Sequence, residues 1–162
     1  MTWVSHILVG SSVGKLFGYG YILTALGSVL PDLIENIAPV KHRGISHSLT
    51  IWLIVFVIAF LTNLQQAMAI MIGVLIGHLL MDSLTVTGVP LFDDRGRYIT
   101  LFGGRLRTGT PSEYIIAILI AGLCTLLSFS GGINPQVSQW KTLYNQGIID
   151  LREYRENRFK VF

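Results

Sequence analysis

The sequence predicts an all-α integral membrane protein, a helical bundle of about three to five short transmembrane helices. The chain is 51% hydrophobic and only 13% charged, and its mean hydropathy is +0.59. A soluble domain carries about 25% charged residues, so much of this surface is expected to meet lipid instead of water. Three uncharged apolar runs and one long polar loop at 82–113 complete the pattern.

The first apolar segment, 7–30, is interrupted by small or charged residues, namely Gly10, Gly14, Lys15, Gly18 and Gly20. One long helix fits this pattern, and so does a hairpin of two short helices that turns near Lys15. We favour the hairpin, because it would return Pro31 and Asp32 to the side where His6 lies.

Three later runs predict transmembrane helices. The first, 51–61, has no charge, and its helix is expected to start at Ser48, a residue type that caps helices. The second run is 67–81 and the third is 114–129. All are near the short end of the roughly 17–25 residues that span a bilayer. Core helices of a soluble protein are the alternative, but three such runs leave too little polar surface to cover them.

The remaining segments define the domain organisation. We expect a membrane-embedded helical domain at 1–130 and a charged C-terminal tail at 131–162 that forms a peripheral helix or a mobile extension. No cleaved signal peptide is expected, because the N-terminal stretch lacks a basic region before its apolar part. The single cysteine, Cys124, excludes an internal disulfide and is expected to be an inert packing residue.

Basic residues suggest an orientation. If 48–61 and 67–81 form an antiparallel pair, the loops 31–47 and 82–113 share one face of the membrane. These two loops hold Lys41, Arg43, Arg95, Arg97, Arg105 and Arg107, whereas the 62–66 connection holds no basic residue. The positive-inside rule therefore places the shared face in the cytoplasm, although the basic tail, expected on the other face, argues against it. The net charge of +3 is scattered, so lipid head groups explain it better than nucleic acid.

The histidines are the main functional signal. All four, His6, His42, His47 and His78, fall at the shared face on this topology, beside Asp32 and Asp82. His78 and Asp82 are four residues apart on a helix, so their side chains lie on one side of it. Ionisable groups in a membrane span usually face a partner or a water-filled cavity.

Each of these residues also has a simpler interpretation. His78 and Asp82 could satisfy one another by a hydrogen bond, and the histidines at 42 and 47 could lie in an interfacial loop exposed to water. Asp32 could mark an ordinary end of a helix. Taken together, six such groups from three or four helix ends are enough for one or two metal ions. Imidazoles and carboxylates suit zinc first, with manganese or iron as alternatives.

Two other groups are candidates for the chemistry. Glu113 in "TGTPSEY" fits a capping box, with Thr110 as N-cap and Pro111 at N1, or it could act as a general base. Arg43, Arg105 and Arg107 could bind a phosphate by paired hydrogen bonds, or they could serve as topology signals and lipid contacts.

The motifs "SHILVG", "LGSVLPD", "HRGISHS", "GHLLMDSLTVTGVPLF" and "RTGTPSE" occur in this order. The series resembles the LexA-regulated, inner-membrane-associated, metal-dependent hydrolases of the YdjM-like family. The resemblance implies a multi-pass protein of the bacterial inner membrane, a divalent metal, a hydrolase activity and a place in the SOS response. It supports six metal ligands, His6, Asp32, His42, His47, His78 and Asp82.

One departure from the family pattern concerns a second acidic residue, which members often carry two positions after the aspartate of the PD motif. This chain has Ile34 there, and the adjacent Glu35 is expected to point differently. The role of that acid is therefore in doubt.

The resulting hypothesis is a membrane-bound, metal-dependent hydrolase that acts on a lipid-linked or amphipathic phosphoester through metal-activated water. Its catalytic candidates are Glu113, Asp82 and His47, and its substrate-binding candidates are Arg43, Arg105 and Arg107. One alternative is a non-enzymatic metal-binding or transport protein. Another is a membrane adaptor that docks a partner through its tail. The sequence does not determine the oligomeric state.

Overall fold

The computed structural model describes residues 1–38, 43–90, 92, 98–130, 143–148 and 150–157. Within them the chain is mainly helical, as predicted. The helices are α1 (Trp3–Phe17), α2 (Tyr21–Ile37), α3 (Leu49–Phe60), α4 (Leu64–Ser83), α5 (Pro111–Phe129) and α6 (Leu151–Asn157). His42, one of the predicted ligands, lies outside the described residues.

The N-terminal segment is a helical hairpin, as predicted. α1 ends at Gly18, which adopts a left-handed conformation with φ 73° and donates its backbone N–H to the carbonyls of the last turn. This conformation costs glycine little, because glycine has no Cβ. The turn therefore lies at 18–20, slightly later than the expected position near Lys15, and α2 runs back beside α1.

The aspartate of the "LPD" motif does not mark a helix end, contrary to the simpler interpretation of that motif. Pro31 lies inside α2, and the helix continues to Ile37. Proline removes one backbone hydrogen bond but leaves the rest of a helix intact where packing supports it. The additional turns present Asp32 and Glu35 to the adjoining segment of the chain.

α3 starts after Ser48 as predicted, but the serine hydroxyl donates to the carbonyl of Phe92 instead of capping the helix. α4 is α-helical from Leu64 to Ile72, π-helical from Gly73 to Leu80, and α-helical again to its end. Wide π-turns are rare and often occur at functional sites. The π-helical segment carries His78.

The long loop after α4 is not entirely irregular, so the all-α prediction requires a small correction. Val89–Pro90 and Tyr98–Ile99 form a two-stranded antiparallel sheet, β1 and β2. The backbone of Leu106 also pairs with residues 84 and 86. In the predicted tail, the structure describes the short helix α6 and a helical turn at 143–145.

Small residues bring three helices into close contact. Gly10 and Gly14 on α1 face Thr24 and Ser28 on α2, and Gly73 and Gly77 on α4 pack against the same pair. Each pair is spaced by four residues and so lies on one helix face. Such spacing lets helix backbones approach closely, as in membrane helix pairs.

Among the residues that the structure describes, two helices are long and apolar enough to cross a bilayer, α4 with 20 residues and α5 with 19. α3 is equally apolar but has only 12 residues, about 18 Å of helix against a hydrocarbon core of about 30 Å. The prediction of three or more spans therefore stays a prediction. Apolar side chains on α3 and α5 are widely exposed, as expected for surfaces in lipid.

Candidate metal centre

Five of the six predicted ligands meet at one place. The five residues, called the ligand cluster below, are His6 on α1, Asp32 on α2, His47 between α2 and α3, and His78 and Asp82 on α4. The three histidines are fully buried, Asp82 is 1% exposed, and the Asp32 side chain is 14% exposed. Distant parts of the sequence thus converge, as the placement of the helix ends predicted.

The Nδ1 atoms of the histidines are fixed by acceptors outside the cluster. His6 Nδ1 donates to the carbonyl of Gly77 at 2.8 Å, and His78 Nδ1 donates to the carbonyl of Ser28 at 2.7 Å. A neutral imidazole that donates from Nδ1 has an unprotonated Nε2. Both Nε2 atoms therefore carry a lone pair that can bind a metal, an arrangement typical of metal-binding histidines.

The Nε2 atoms point to the two carboxylates. His6 Nε2 lies 3.4 Å from Asp82 Oδ1, and His47 Nε2 lies 3.5 Å from Asp32 and 3.6 Å from Asp82. These distances exceed normal hydrogen bonds of about 2.7–3.2 Å. Two ligands of a tetrahedral zinc ion, each about 2.0–2.1 Å from the metal, lie about 3.3 Å apart. The separations therefore match those between ligands of one ion.

An unsatisfied atom gives independent support. Among the described residues, His6 Nε2 is a buried side-chain nitrogen without a hydrogen-bond partner. A buried polar atom without a partner is costly and requires an explanation. The ligand sets His6–His78–Asp82 and Asp32–His47–His78 can each hold a metal ion by geometry. The donor set and the unsatisfied nitrogen thus fit a divalent cation.

His47 is held by a carboxylate that the sequence analysis did not select. Its Nδ1 lies 2.8 Å from Glu35 Oε1, and the same oxygen accepts hydrogen bonds from the Ser46 hydroxyl and the Arg43 backbone. Burial lowers the pKa of His47, but the two nearby aspartates and the charge of Glu35 outweigh burial and raise this pKa to about 9. The same negative charge would attract a cation, whose binding displaces the proton.

Glu35 was missed because it lies one position after Ile34, where the family's second acid is expected, and so was expected to point in a different direction. Residues three apart on a helix are neighbours on its surface, and α2 extends far enough to make both residues helical. The signal that could have identified Glu35 was therefore its i, i+3 spacing from Asp32.

Arg43 lies beside the cluster, as its predicted substrate-binding role requires. Its backbone has φ 54°, an uncommon conformation for a residue with a side chain. Its guanidinium donates to the Thr85 hydroxyl and the Gly88 carbonyl and lies 3.3 Å from Asp82 Oδ2. Asp82 is also contacted by the amino group of Met1.

A polar cavity of about 580 Å³ opens onto the cluster. Asp32, Glu35, Arg43 and Asp82 line it, together with Asn36 and Thr108. The cavity is within the size range of about 300–1,000 Å³ that holds small ligands. Carboxylates of the cluster and one guanidinium thus face a common space, which is called the polar cavity below.

Glu113, the predicted base, is placed differently. It is fully buried, and its oxygens accept hydrogen bonds from the Thr2 backbone and hydroxyl, the Ser5 hydroxyl and the Gly109 backbone. The helix begins at Pro111 as the capping box predicted, but the carboxylate reaches Gly109 and not Thr110. Within the described residues, this glutamate belongs to neither candidate metal set. The geometry favours a role in joining α1 to α5.

The other two predicted phosphate-binding residues, Arg105 and Arg107, are exposed and flank the buried Leu106. The adjacent Thr108 lines the polar cavity, whereas the two arginines do not belong to its lining. Their role in substrate binding stays a prediction.

Comparison with known proteins identifies the family to which the chain belongs. The sequence model of the YdjM inner membrane protein family matches residues 1–127. The matched range contains the whole ligand cluster, all of α4, and all but the last two residues of α5. No curated protein and no solved structure matches the chain. Because the match covers well over half of the sequence, this multi-pass chain belongs to the YdjM inner membrane protein family.

Proposed function

We propose that the ligand cluster holds a divalent cation, zinc in the first place and manganese or iron as alternatives, and that the protein hydrolyses a phosphoester at the membrane surface. The observation that carries this proposal is the convergence of three histidine Nε2 atoms on the carboxylates of Asp32 and Asp82 beside a polar cavity. Arg43 and the Met1 amino group offset part of the charge of Asp82, and a bound cation would neutralise the remaining negative charge of the two aspartates.

The geometry favours one cation over two. Both candidate ligand sets contain His78, and its Nδ1 already donates to a backbone carbonyl. Only Nε2 is left for a metal, and it lies 2.8 Å from His47 Nε2. Since one ring nitrogen serves one metal, a single ion among all five side chains uses the cluster better than two ions would.

A divalent cation supplies Lewis-acid chemistry and lowers the pKa of a bound water. Hydrolysis adds a water oxygen to phosphorus, breaks the bond between phosphorus and the ester oxygen, and transfers a proton to the departing alcohol. Arg43 is positioned to hold a phosphate oxygen, since its guanidinium is planar and carries several donors. Asp32 is the cluster carboxylate that is more open to the polar cavity, so it is placed to accept the proton from water.

The substrate class follows from the location. The protein lies in the inner membrane, and its site adjoins helices with widely exposed apolar faces. A lipid-linked or otherwise amphipathic phosphoester is therefore the expected substrate. Regulation by LexA stays a prediction of the resemblance.

The direct test is to purify the protein in mild detergent, measure bound metals by mass spectrometry, and assay release of phosphate or alcohol from phospholipids. We expect activity that is lost with a chelator and restored by one divalent metal. Arg43→Gln should lower kcat/KM by about 10- to 100-fold while metal content is unchanged, because one charged hydrogen-bond donor contributes roughly 1.5–3 kcal/mol. Protein that holds the metal but hydrolyses no phosphoester would instead indicate a metal-binding or transport protein.

Glu35→Gln gives a second prediction. The glutamine keeps an oxygen for the Ser46 hydroxyl and the Arg43 backbone but removes the charge that faces His47 Nδ1. Loss of such a carboxylate typically weakens metal binding by about 10- to 100-fold. Competition with a chelator of known affinity would measure this change. Asn36 is the next residue and lines the same cavity. The Asn36→Ala variant is therefore the matched control and should bind metal normally.

A further inference from the structure

A second, apolar cavity lies close to the metal centre. It has a volume of about 320 Å³ and is enclosed by α2, α3 and α4. Its wall consists of aliphatic and aromatic side chains apart from one serine, and it includes Leu30, Ile34, Trp52, Phe56, Ile70 and Met71. A cavity of this composition offers few partners for water, so an apolar occupant is favoured.

The two cavities adjoin at one hydrogen bond. Ser46 lines the apolar cavity, and its hydroxyl donates to Glu35, which lines the polar cavity. The next residue, His47, is a predicted ligand. Trp52 holds this turn from the apolar side, because its indole N–H donates to the Ser46 carbonyl at 2.6 Å. A polar and an apolar compartment therefore lie on either side of the same short turn.

The apolar cavity can be reached from the lipid. Ile45 and Val55 form part of its wall and are 51% and 41% exposed. The outer face of α3 beside them also carries exposed Leu53 and Ile54. A hydrocarbon chain could therefore enter from the bilayer.

The size of the apolar cavity suits an alkyl chain better than a whole turn of a protein helix. One helical turn with its side chains is about 10 Å wide and 5.4 Å long, which amounts to roughly 400 Å³. The cavity, at about 320 Å³, is smaller than that. A flexible alkyl chain is narrow enough to fit, and its transfer from a hydrocarbon bilayer into an apolar cavity costs little.

We propose that the apolar cavity binds one acyl chain of a phospholipid whose phosphate lies in the polar cavity. The inference rests on the proposed function and defines its substrate as a lipid with a hydrocarbon chain next to the phosphate. Ile34 and Ser46 would contact the chain, and Arg43 would contact the phosphate.

The test uses a phosphatidic acid whose acyl chain carries a photoreactive diazirine, added to the metal-loaded protein in detergent micelles. After irradiation, mass spectrometry of peptides locates the labelled residues. We expect labels on the α2, α3 and α4 residues that line the apolar cavity. A diazirine-bearing fatty alcohol of the same chain length, which lacks the phosphate, should label them less. Equal labelling by both probes would overturn the proposal that one lipid places its phosphate in the polar cavity and its acyl chain in the apolar cavity.

Ala59→Phe fills the apolar cavity, and Val57→Phe adds a similar ring on the exposed side of the same helix. The first variant should reduce labelling of the cavity at least about fivefold, because it displaces several buried methylene groups, and the second should not. If Ala59→Phe does not fold, Val55→Trp, which narrows the rim of the apolar cavity, can replace it as the cavity variant. Unchanged labelling in a folded cavity variant, or labels spread evenly over the lipid-facing side of α5, would refute the acyl-chain site.

Metal content measured on the same samples separates the two proposals. Wild-type protein with full metal content but no labelling of the apolar cavity would refute the acyl-chain site alone. Absence of bound metal after reconstitution with zinc, manganese or iron would refute the proposed function, whatever the labelling pattern shows.

Discussion

His78→Ala should reduce bound divalent metal from about one ion per chain to less than about a tenth of that, because an outer-shell change alone costs 10- to 100-fold in affinity and a direct ligand should cost more. His78 is common to both candidate ligand sets, and its Nε2 lies 2.8 Å from that of His47. Its loss therefore disrupts every ligand arrangement that the cluster offers. Metal analysis of purified protein, before and after dialysis against zinc, would measure the effect.

Two further variants show whether such a loss is specific. Asp82→Asn keeps the side-chain shape while removing one carboxylate charge, so it should also lose metal without a large cavity. Asn36 lines the polar cavity but lies outside both ligand sets, so the Asn36→Ala variant should keep the metal. Full metal content in both His78→Ala and Asp82→Asn, with folding retained, would contradict a metal centre at this position.

Gly73→Ala should lower the thermal unfolding midpoint in detergent by about 5 °C or more, since overpacking costs about 1–3 kcal/mol or more. A Cβ at position 73 would overlap the backbone carbonyl oxygen of Thr24 and lie 2.9 Å from its carbonyl carbon. Backbone atoms cannot rotate away as a side chain can, so α2 and α4 must separate. This separation would also move His78 away from the Ser28 carbonyl, and metal binding should weaken with stability.

Gly122→Ala is the matched control for this prediction. A Cβ at position 122 meets nothing within 4 Å, so the same substitution there adds no clash. Alanine is favoured over glycine in helices by up to about 1 kcal/mol, so this variant should unfold at the same or a slightly higher temperature. Circular dichroism or a thiol-independent fluorescence melt would compare the two variants. Equal midpoints would show that the close helix crossing does not contribute to stability.

The helices formed by the apolar runs, and the proximity of His78 to Asp82, could be predicted because both depend on local sequence. An uncharged run at 51–61 or 114–129 favours a helix in lipid regardless of its neighbours. His78 and Asp82 are four residues apart, so their proximity follows from helix geometry. The convergence with His6 and Asp32 required one further assumption, the N-terminal hairpin, and the structure contains that hairpin.

The supporting contacts could not be predicted from the same information. Whether Glu113 faces the metal centre or the start of α1 depends on how α5 packs, which local sequence does not determine. The structure gives it Thr2 and Ser5 as partners, from the far end of the chain. Likewise, Gly10 and Gly14 were interpreted as interruptions of an apolar run. Their role as contact points for α2 becomes visible only when both helices are in place.

Two of the three imidazoles donate from Nδ1 to main-chain oxygens, those of residues 28 and 77. Every amino-acid residue has a main-chain carbonyl, so a replacement at residue 28 or 77 keeps the acceptor if the new side chain is small enough for the close contact between the helices. Mutations that alter the side chains of residues 28 and 77 therefore leave the acceptors of these two Nδ1 atoms in place. The residues at these two positions can therefore differ between relatives while the Nδ1 hydrogen bonds stay the same. The size of the side chain, and not its polarity, would limit which replacements are tolerated.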